Sequence, residues 1–232
     1  MEKQKYAAIV LAAGSGKRMN SKVHKQYLII QDRPVLYYSL KEFQDSAVDE
    51  IVLVVGKGEE EFCRREIVDK YGISKVKAIV EGGKERYHSV FEGLKQTSDA
   101  DYVLIHDGAR PFVNQDIIRR CMLEVPEYQA CVVGMPVKDT IKIADEEGYA
   151  KQTPDRKNVW MIQTPQTFSY ALIYEAYEEM LKTEDTAITD DAMVLERIKG
   201  KKSKLIEGSY RNIKITTPED LLIANVYLQH PE

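Results

Sequence analysis

Cysteine is scarce and unpatterned: Cys63, Cys121 and Cys131 are odd in number, lack C-x-x-C spacing and sit in apolar surroundings. Disulfide frameworks and zinc ribbons are excluded on that count, and reduced thiols in the cytosol are expected. No run approaches the roughly 20 apolar residues that a membrane span needs. The start MEKQK leads into a short apolar run and a glycine turn, not into a signal-peptide core. A cytoplasmic chain without a membrane partner is the expectation. Excess positive charge is missing as well: the net charge is −4 with 30% charged residues, so a basic surface for nucleic acid is excluded. No Ser/His/Asp arrangement or activated cysteine is suggested, and neither internal repeats nor low-complexity linkers occur. At 232 residues the chain suits a single α/β domain with at most a modest excursion.

What is present is concentrated in Leu11 to Lys25, LAAGSGKRMNSKVHK. The continuously apolar run Tyr6 to Leu11 reads as a strand covered on both faces of a parallel sheet. Gly14 and Gly16 then allow backbone N–H groups close to a ligand, and Lys17, Arg18, Lys22 and Lys25 add positive charge around the turn. Such a turn suits a polyphosphate. A dinucleotide fingerprint would need a third small residue where Met19 stands and an acidic residue where Val55-Gly56 stands. A P-loop would need glycine at Leu11 and a hydroxyl at Arg18. The pattern that remains, G-x-G-x-R-M followed by Lys25, resembles the signature of nucleotidyltransferases.

Apolar strands alternate with helical patterns, the mark of βαβ units. Strands are predicted at 6–12, 50–55, 76–80, 102–106 and 131–135, with helices near 34–45, 59–71, 85–97 and 114–125. Right-handed crossovers wind these into a mainly parallel, twisted sheet with helices on both faces and a ligand edge at the carboxyl ends of its strands. Both the glycine turn and His106-Asp107-Gly108-Ala109-Arg110-Pro111 follow strands and belong on that edge. After Pro136 the alternation breaks. Residues 137–159 hold two short β-like pieces around the polar turn Asp145-Glu146-Glu147-Gly148, a β-arm too poor in core residues to bury itself. A homodimer through this arm is expected. Beyond the arm the chain is expected to return to helices, one capped at Thr189 and one at Thr217 with Pro218 in its first position.

A phosphate monoester is largely dianionic near neutral pH, with its second pKa about 6, so it attacks without a general base. Transfer then needs chiefly positioning and charge neutralisation. Arg18 and Lys25 would neutralise a triphosphate, with the backbone from Ala13 to Gly16 holding its phosphates. Asp107 closes an apolar strand and aims a carboxylate at the same edge, suiting Mg²⁺ with substrate phosphates as its other ligands; a turn or cap role is the alternative. Arg110 reads equally well as an ion-pair partner. Glu81-Gly82-Gly83-Lys84-Glu85-Arg86, with Ser89 a turn into the next helix, forms a second candidate ligand loop, although a plain strand-to-helix turn fits the spacing as well.

Taken in order, LAAGSGKRM, Lys25-Gln26-Tyr27-Leu28, GGKER, HDGARP, PVKDT, PDR, TPQTF, ITDDA and NIKIT resemble the 2-C-methyl-D-erythritol 4-phosphate cytidylyltransferase family of non-mevalonate isoprenoid synthesis, nearly end to end. The resemblance implies a Rossmann-like α/β domain over 1–232, a dimerisation arm at about 137–159, and a reaction joining CTP to methylerythritol phosphate with release of pyrophosphate. It further implies Arg18 and Lys25 as catalytic cations and Ala12, Ala13, Gly14, Ser15 and Gly16 along the CTP site. Gly83, Ser89 and Ala109 would frame cytosine and ribose, Lys214 would meet the nucleotide phosphates, and Asp107 would serve the divalent cation. Arg110, Thr140, Arg156, Thr164 and Thr189 would hold the acceptor, partly across the dimer. Read without the family, Thr140, Arg156 and Thr189 are an ordinary strand threonine, a solvated arm cation and a helix cap. Two positions depart from some relatives: Lys84 stands where an acidic residue occurs, and Lys17 replaces an arginine and its planar fork.

Three rivals share parts of the pattern. A ribitol-phosphate cytidylyltransferase has a similar loop, HDG-x-RP-like segment and arm, but AAGSGKRM differs from its GG-type start. Asp99-Ala100-Asp101 imitates a glycosyltransferase D-x-D motif, yet it precedes strand 102–106 and so falls at the opposite sheet edge. A nucleotide-sensing subunit without catalysis is the third, and retention of both Arg18 and Lys25 counts against it.

Overall fold

Every apolar run read as a strand forms one, and helices follow where the spacing changes. The computed structural model describes residues 3–14, 19, 23–183 and 187–230. In chain order these form β1 (Tyr6–Ala12), β2 (Ile29–Ile30), β3 (Arg33–Pro34), α1 (Val35–Asp45), β4 (Glu50–Val55), α2 (Glu60–Cys63), β5 (Val76–Glu81), α3 (Arg86–Leu94), β6 (Tyr102–Asp107), α4 (Gln115–Tyr128) and β7 (Ala130–Pro136). There follow β8 (Ile143–Ala144), β9 (Ala150–Gln152), β10 (Trp160–Ser169), α5 (Tyr170–Met180), α6 (Asp191–Lys199), β11 (Lys204–Glu207) and α7 (Pro218–Gln229). The predicted helix 59–71 is split, α2 passing into a π-helical stretch, Arg64–Asp69.

The main sheet has seven strands in the order β11-β7-β10-β6-β1-β4-β5. All neighbours are parallel except β10, which runs against both β6 and β7. From β1 the chain builds outward through β4 and β5, then crosses back to lay β6 on the other side of β1. That reversal is a topological switch point, and ligands of open α/β sheets bind outside the carboxyl ends of the strands there. Register completes the placement: Leu11 pairs with Asp107, Ala12 with Val55, and Val55 with Glu81. Ala13-Gly14, the Gly82-Gly83 loop and the HDGAR segment therefore leave the sheet along one rim.

Alternation along β1 divides the core. Ala8 and Val10 join the layer under α1 and α4, with Leu36, Phe43, Ile117 and Val125, while Ala7 and Ile9 join the layer under α3, α5 and α6, with Val90, Ile173, Tyr177 and Val194. Each fully buried side chain of this kind stabilises by about 1.5–3 kcal/mol, so helices on both faces are held by the same strands. A third cluster of Met19, Ile30, Val35, Ile215 and Ala224 packs α7 against β2 and the start of α1. Among the described residues no helix is long and apolar enough to cross a membrane, and all three cysteines are free and buried.

The arm forms as expected, β8 pairing antiparallel with β9 and the Asp145 carboxylate accepting from Glu147 and Tyr149 N–H groups in the turn. Its apolar side chains Ile143 and Tyr149 are 46% and 71% exposed, as befits a hairpin that covers no core of its own. The expectation of helices alone after the arm is corrected: β10, ten residues long, sits inside the sheet. Pro165 and the shift in pairing between Ile162 and Gln166 interrupt its alternation, which hid the strand. The edge strand β11 was hidden by its shortness. Thr189 is not the cap of α6; Asp190 is, its carboxylate accepting from Met193 N at 2.9 Å. At α7 the reading holds, with Thr217 and Asp220 in a reciprocal capping box. Asp99 ion-pairs with Lys5 and Lys77 at the amino ends of the strands, far from the switch-point rim, which removes the D-x-D reading.

Candidate active site

Two pockets open on this rim and share a wall. The first is lined by Ala12, Ala13, Gly14, Lys25, Gly83, Ser89 and Ala109 together with Arg86, Asp107 and Lys214. The second is lined by Arg110, Thr164, Gln166, Thr189 and Asp190 with the same Arg86, Asp107 and Lys214. Every described residue expected at the nucleotide is thus gathered in one pocket, and three of those expected at the acceptor lie in the next. Thr140 and Arg156 are in the exposed arm, outside the described linings of both; Arg156 Nη1 donates to the Lys138 carbonyl at 2.8 Å. Arg18, Ser15, Gly16 and Lys17 lie outside the described residues.

Local structure explains the first pocket. Gly82 is needed because a Cβ there would sit 2.6 Å from both the Ala13 Cβ and the Ser89 Oγ, so the loops after β1 and β5 close on each other only around a bare backbone. Ser89, buried on α3, accepts from Gly83 N at 3.1 Å and donates to the Glu85 carbonyl at 3.3 Å, holding the loop against the helix. Lys84 lines the pocket as well. Gln26, fully buried, donates its amide to the Ala12 carbonyl and ties the Lys25 turn to the end of β1. Ile215 N donates to the Ala109 carbonyl, which carries Lys214 to the rim.

Asp107 is the electrostatic centre. Arg86 Nε reaches its Oδ1 at 3.2 Å, Lys214 Nζ its Oδ2 at 2.6 Å, and Arg110 Nε stands 4.0 Å away. Burial alone would raise its pKa, but Arg86, Lys214 and Arg110 hold the carboxyl well below the usual carboxylate range. Below it, Thr164 Oγ1 accepts from Asp107 N at 3.1 Å and donates to His106 Nδ1 at 3.0 Å, while His106 Nε2 donates to the Arg110 carbonyl at 3.2 Å. Burial lowers the His106 pKa to about 4, so the ring is neutral and works as a brace. Thr164 consequently spends its hydroxyl inside the protein. Arg110 donates to the Asn212 carbonyl at 2.8 Å, in keeping with the structural half of its reading, yet its Nε has no hydrogen-bond partner among the described residues.

Arg86 and its partners escaped the residue-by-residue reading. Its guanidinium makes a fork to Asp191, 2.8 and 2.9 Å, while Tyr177 donates to the same carboxylate at 2.6 Å. Asp191 is fully buried, and removing one member of such a pair typically costs about 3–5 kcal/mol. Gln166 Oε1 accepts from the N–H groups of Asp191 and Ala192, and its Nε2 donates to Asp190. The amino end of α6, with Thr189, is thereby bolted to the Asp107 carboxylate through Arg86. Arg86 and Asp191 stood inside the motifs GGKER and ITDDA, but nothing in their spacing marks them as partners.

No described cysteine is a ready nucleophile: burial pushes the Cys63 thiol up to about 11 and those of Cys121 and Cys131 up to about 12. With the histidine neutral and committed, cations and amides on both sides of a single carboxylate suit transfer between two phosphate-bearing molecules, which is the business of nucleotidyltransferases. Within that class the chain belongs to the 2-C-methyl-D-erythritol 4-phosphate cytidylyltransferase family, IspD, whose model matches residues 6–230. Enzymes of that name from Lachnoclostridium phytofermentans and Lachnospira eligens are 50% and 53% identical over 97% and 96% of this chain and cover 97% and 98% of their own lengths. The crystal structure of 4-diphosphocytidyl-2C-methyl-D-erythritol synthase from Anaerococcus prevotii superposes with a TM-score of 0.86 at 38% identity, covering 98% of this chain and 97% of that one. The enzyme of Thermus thermophilus superposes at 0.77 with 29% identity, covering 95% of this chain and 98% of that one.

Proposed function

We propose that the chain transfers the cytidylyl group of CTP to 2-C-methyl-D-erythritol 4-phosphate at the wall shared by the two pockets, for isoprenoid precursor synthesis. A phosphate oxygen of the acceptor forms a bond to the α-phosphorus while the bond to the bridging oxygen breaks. The electron pair leaves with pyrophosphate, giving 4-diphosphocytidyl-2-C-methyl-D-erythritol. The acceptor arrives as an anion, so no proton has to be removed first. The single observation that carries the reading is that Arg86, Asp107 and Lys214 face both pockets at once.

In this reading the first pocket takes CTP, with Ala12 to Gly16 along its phosphates, Gly83, Ser89 and Ala109 around cytidine, and Lys25, Lys214 and Arg18 as counter-charges. The second takes the acceptor phosphate, against Arg110 with its unsatisfied Nε and beside Thr164 and Thr189. Thr140 and Arg156 reach an acceptor only from the arm of a second subunit, which makes the active enzyme a homodimer. Asp107, the carboxylate that lines both pockets, is the residue that would hold a magnesium ion, since Mg²⁺ is usually held by one or two carboxylates with substrate phosphates and water. When bound, the ion would neutralise phosphate charge. Arg86 and Lys214 keep the carboxylate ionised, and the one on the oxygen that the ion takes would turn to the substrate phosphates instead. With free, buried thiols, the enzyme is assigned to the cytoplasm.

Purified protein given CTP and Mg²⁺ with either methylerythritol phosphate or ribitol phosphate tests the reading by pyrophosphate release. Turnover with the first is expected; turnover with ribitol phosphate alone would overturn it.

A further inference from the structure

Lys25 opens a 3-10 turn of only three residues, Lys25–Tyr27, so its position over the rim must be fixed by side chains around it. One carboxylate, that of Glu59, holds the far end of the turn. Tyr27 donates its hydroxyl to Glu59 Oε2 at 2.7 Å, while His24 Nδ1 approaches Glu59 Oε1 to 2.7 Å without the geometry of a hydrogen bond. Gly56 N, at the end of β4, donates to the same Oε2 at 3.0 Å. The grip is anchored behind Tyr27 by Cys63, whose Sγ lies 3.0 Å from the phenolic oxygen, and by the edge of Phe62, with ring centroids 5.1 Å apart. Because the phenol spends its proton on Glu59, the thiol is the donor in that contact.

Two features separate this from an ordinary acidic residue at a helix start. Glu59 occupies the cap position of α2, yet its side chain makes no capping hydrogen bond and turns instead toward the Lys25 turn. Gly56 also leaves the necessary room: a Cβ there would lie 2.6 Å from Glu59 Oε2. Burial above all, and the Glu59 carboxylate that accepts from it, raise the Tyr27 pKa, so its hydroxyl stays a donor across the working pH range.

We propose that Glu59 is a positioning residue for the transfer, its carboxylate fixing Lys25 at the triphosphate by tying Tyr27, in the same turn, to the backbone at the end of β4. The inference rests on the reading of Lys25 as a phosphate-neutralising cation. Glu59 itself touches no substrate; it ties the Lys25 turn to the end of β4, a strand paired on both sides by β1 and β5.

The test is a double-mutant cycle with CTP kinetics and thermal melts: Glu59→Ala and Glu59→Gln, each alone and with Lys25→Ala. A misplacement of about 1 Å at a reacting group costs up to roughly a hundredfold, so Glu59→Ala should lower kcat/KM for CTP by between about tenfold and a hundredfold. Glu59→Gln, whose amide oxygen still accepts from Tyr27 and Gly56, should lose less. With Lys25 already removed, neither change should lower the rate further, and CMP, lacking the outer phosphates, should bind both variants as it binds the parent. Full activity of Glu59→Ala, or an equal loss in the Lys25→Ala background, would overturn the proposal. Near-full activity of Lys25→Ala would instead sink the reading of Lys25 on which it stands. Should Glu59→Ala not fold, Tyr27→Phe, which deletes only the hydroxyl, carries the same comparison.

Discussion

His106 offers a perturbation whose size follows from its surroundings. The ring is completely buried between Thr164 and the Arg110 carbonyl, and burial brings its pKa from 6.5 to about 4. An unfolded chain therefore binds a proton near pH 6.5 that the folded one refuses until about pH 4. Stability from the neutral ring is complete above pH 6.5 and falls as the medium is acidified. At about 1.4 kcal/mol for each tenfold change, the full interval is worth about 3 kcal/mol, of which about 2 kcal/mol is lost by pH 5. Asp107 does not blur this window: its carboxyl is held well below the usual range, so its own loss begins only below about pH 4. Urea unfolding of the parent and of His106→Asn, at one fixed protein concentration from pH 7.5 to 5.0, isolates the effect. The amide keeps a donor and an acceptor but takes up no proton. The stability gap between the two should narrow by about 2 kcal/mol across that range. A gap that stays constant would refute the claim that the fold excludes the imidazolium.

Asp107→Asn keeps the size of the side chain but leaves Arg86, Lys214 and Arg110 without their shared anion; a shift of the half-saturating Mg²⁺ concentration upward by about tenfold or more is expected in pyrophosphate-release assays, and an unchanged Mg²⁺ dependence would remove Asp107 as the metal carboxylate. Light scattering at micromolar protein should give a dimer, and Ile143→Asp with Tyr149→Asp, which puts charge on the exposed apolar face of the arm, should shift it toward monomer. A monomeric parent protein with full activity would contradict shared sites.

How far the sequence carried this picture depended on the range of the forces involved. Strands and helices between 6 and 135 were legible because burial on both sheet faces writes itself as apolar runs and helical spacing, and helix caps such as Thr217 are settled within four residues. β10 was not, since Pro165 and a pairing shift break its period while neighbours β6 and β7 still supply hydrogen bonds and cover. Thr189 was misread for a related reason: one residue decides which side chain reaches the first free N–H, and Asp190 wins because it is the residue whose carboxylate meets Met193 N. The site divides along the same line. The glycines and Asp107 could be found because each sits next to a strand end, and Lys214 came only from the resemblance, whereas Arg86 meets Asp191 across 105 residues and Glu59 meets Tyr27 across 32. Such pairs leave no spacing to read. They exist only once the strands lie side by side in the sheet, so the groups that neutralise phosphate are visible in the chain while the groups that aim them are created by the fold.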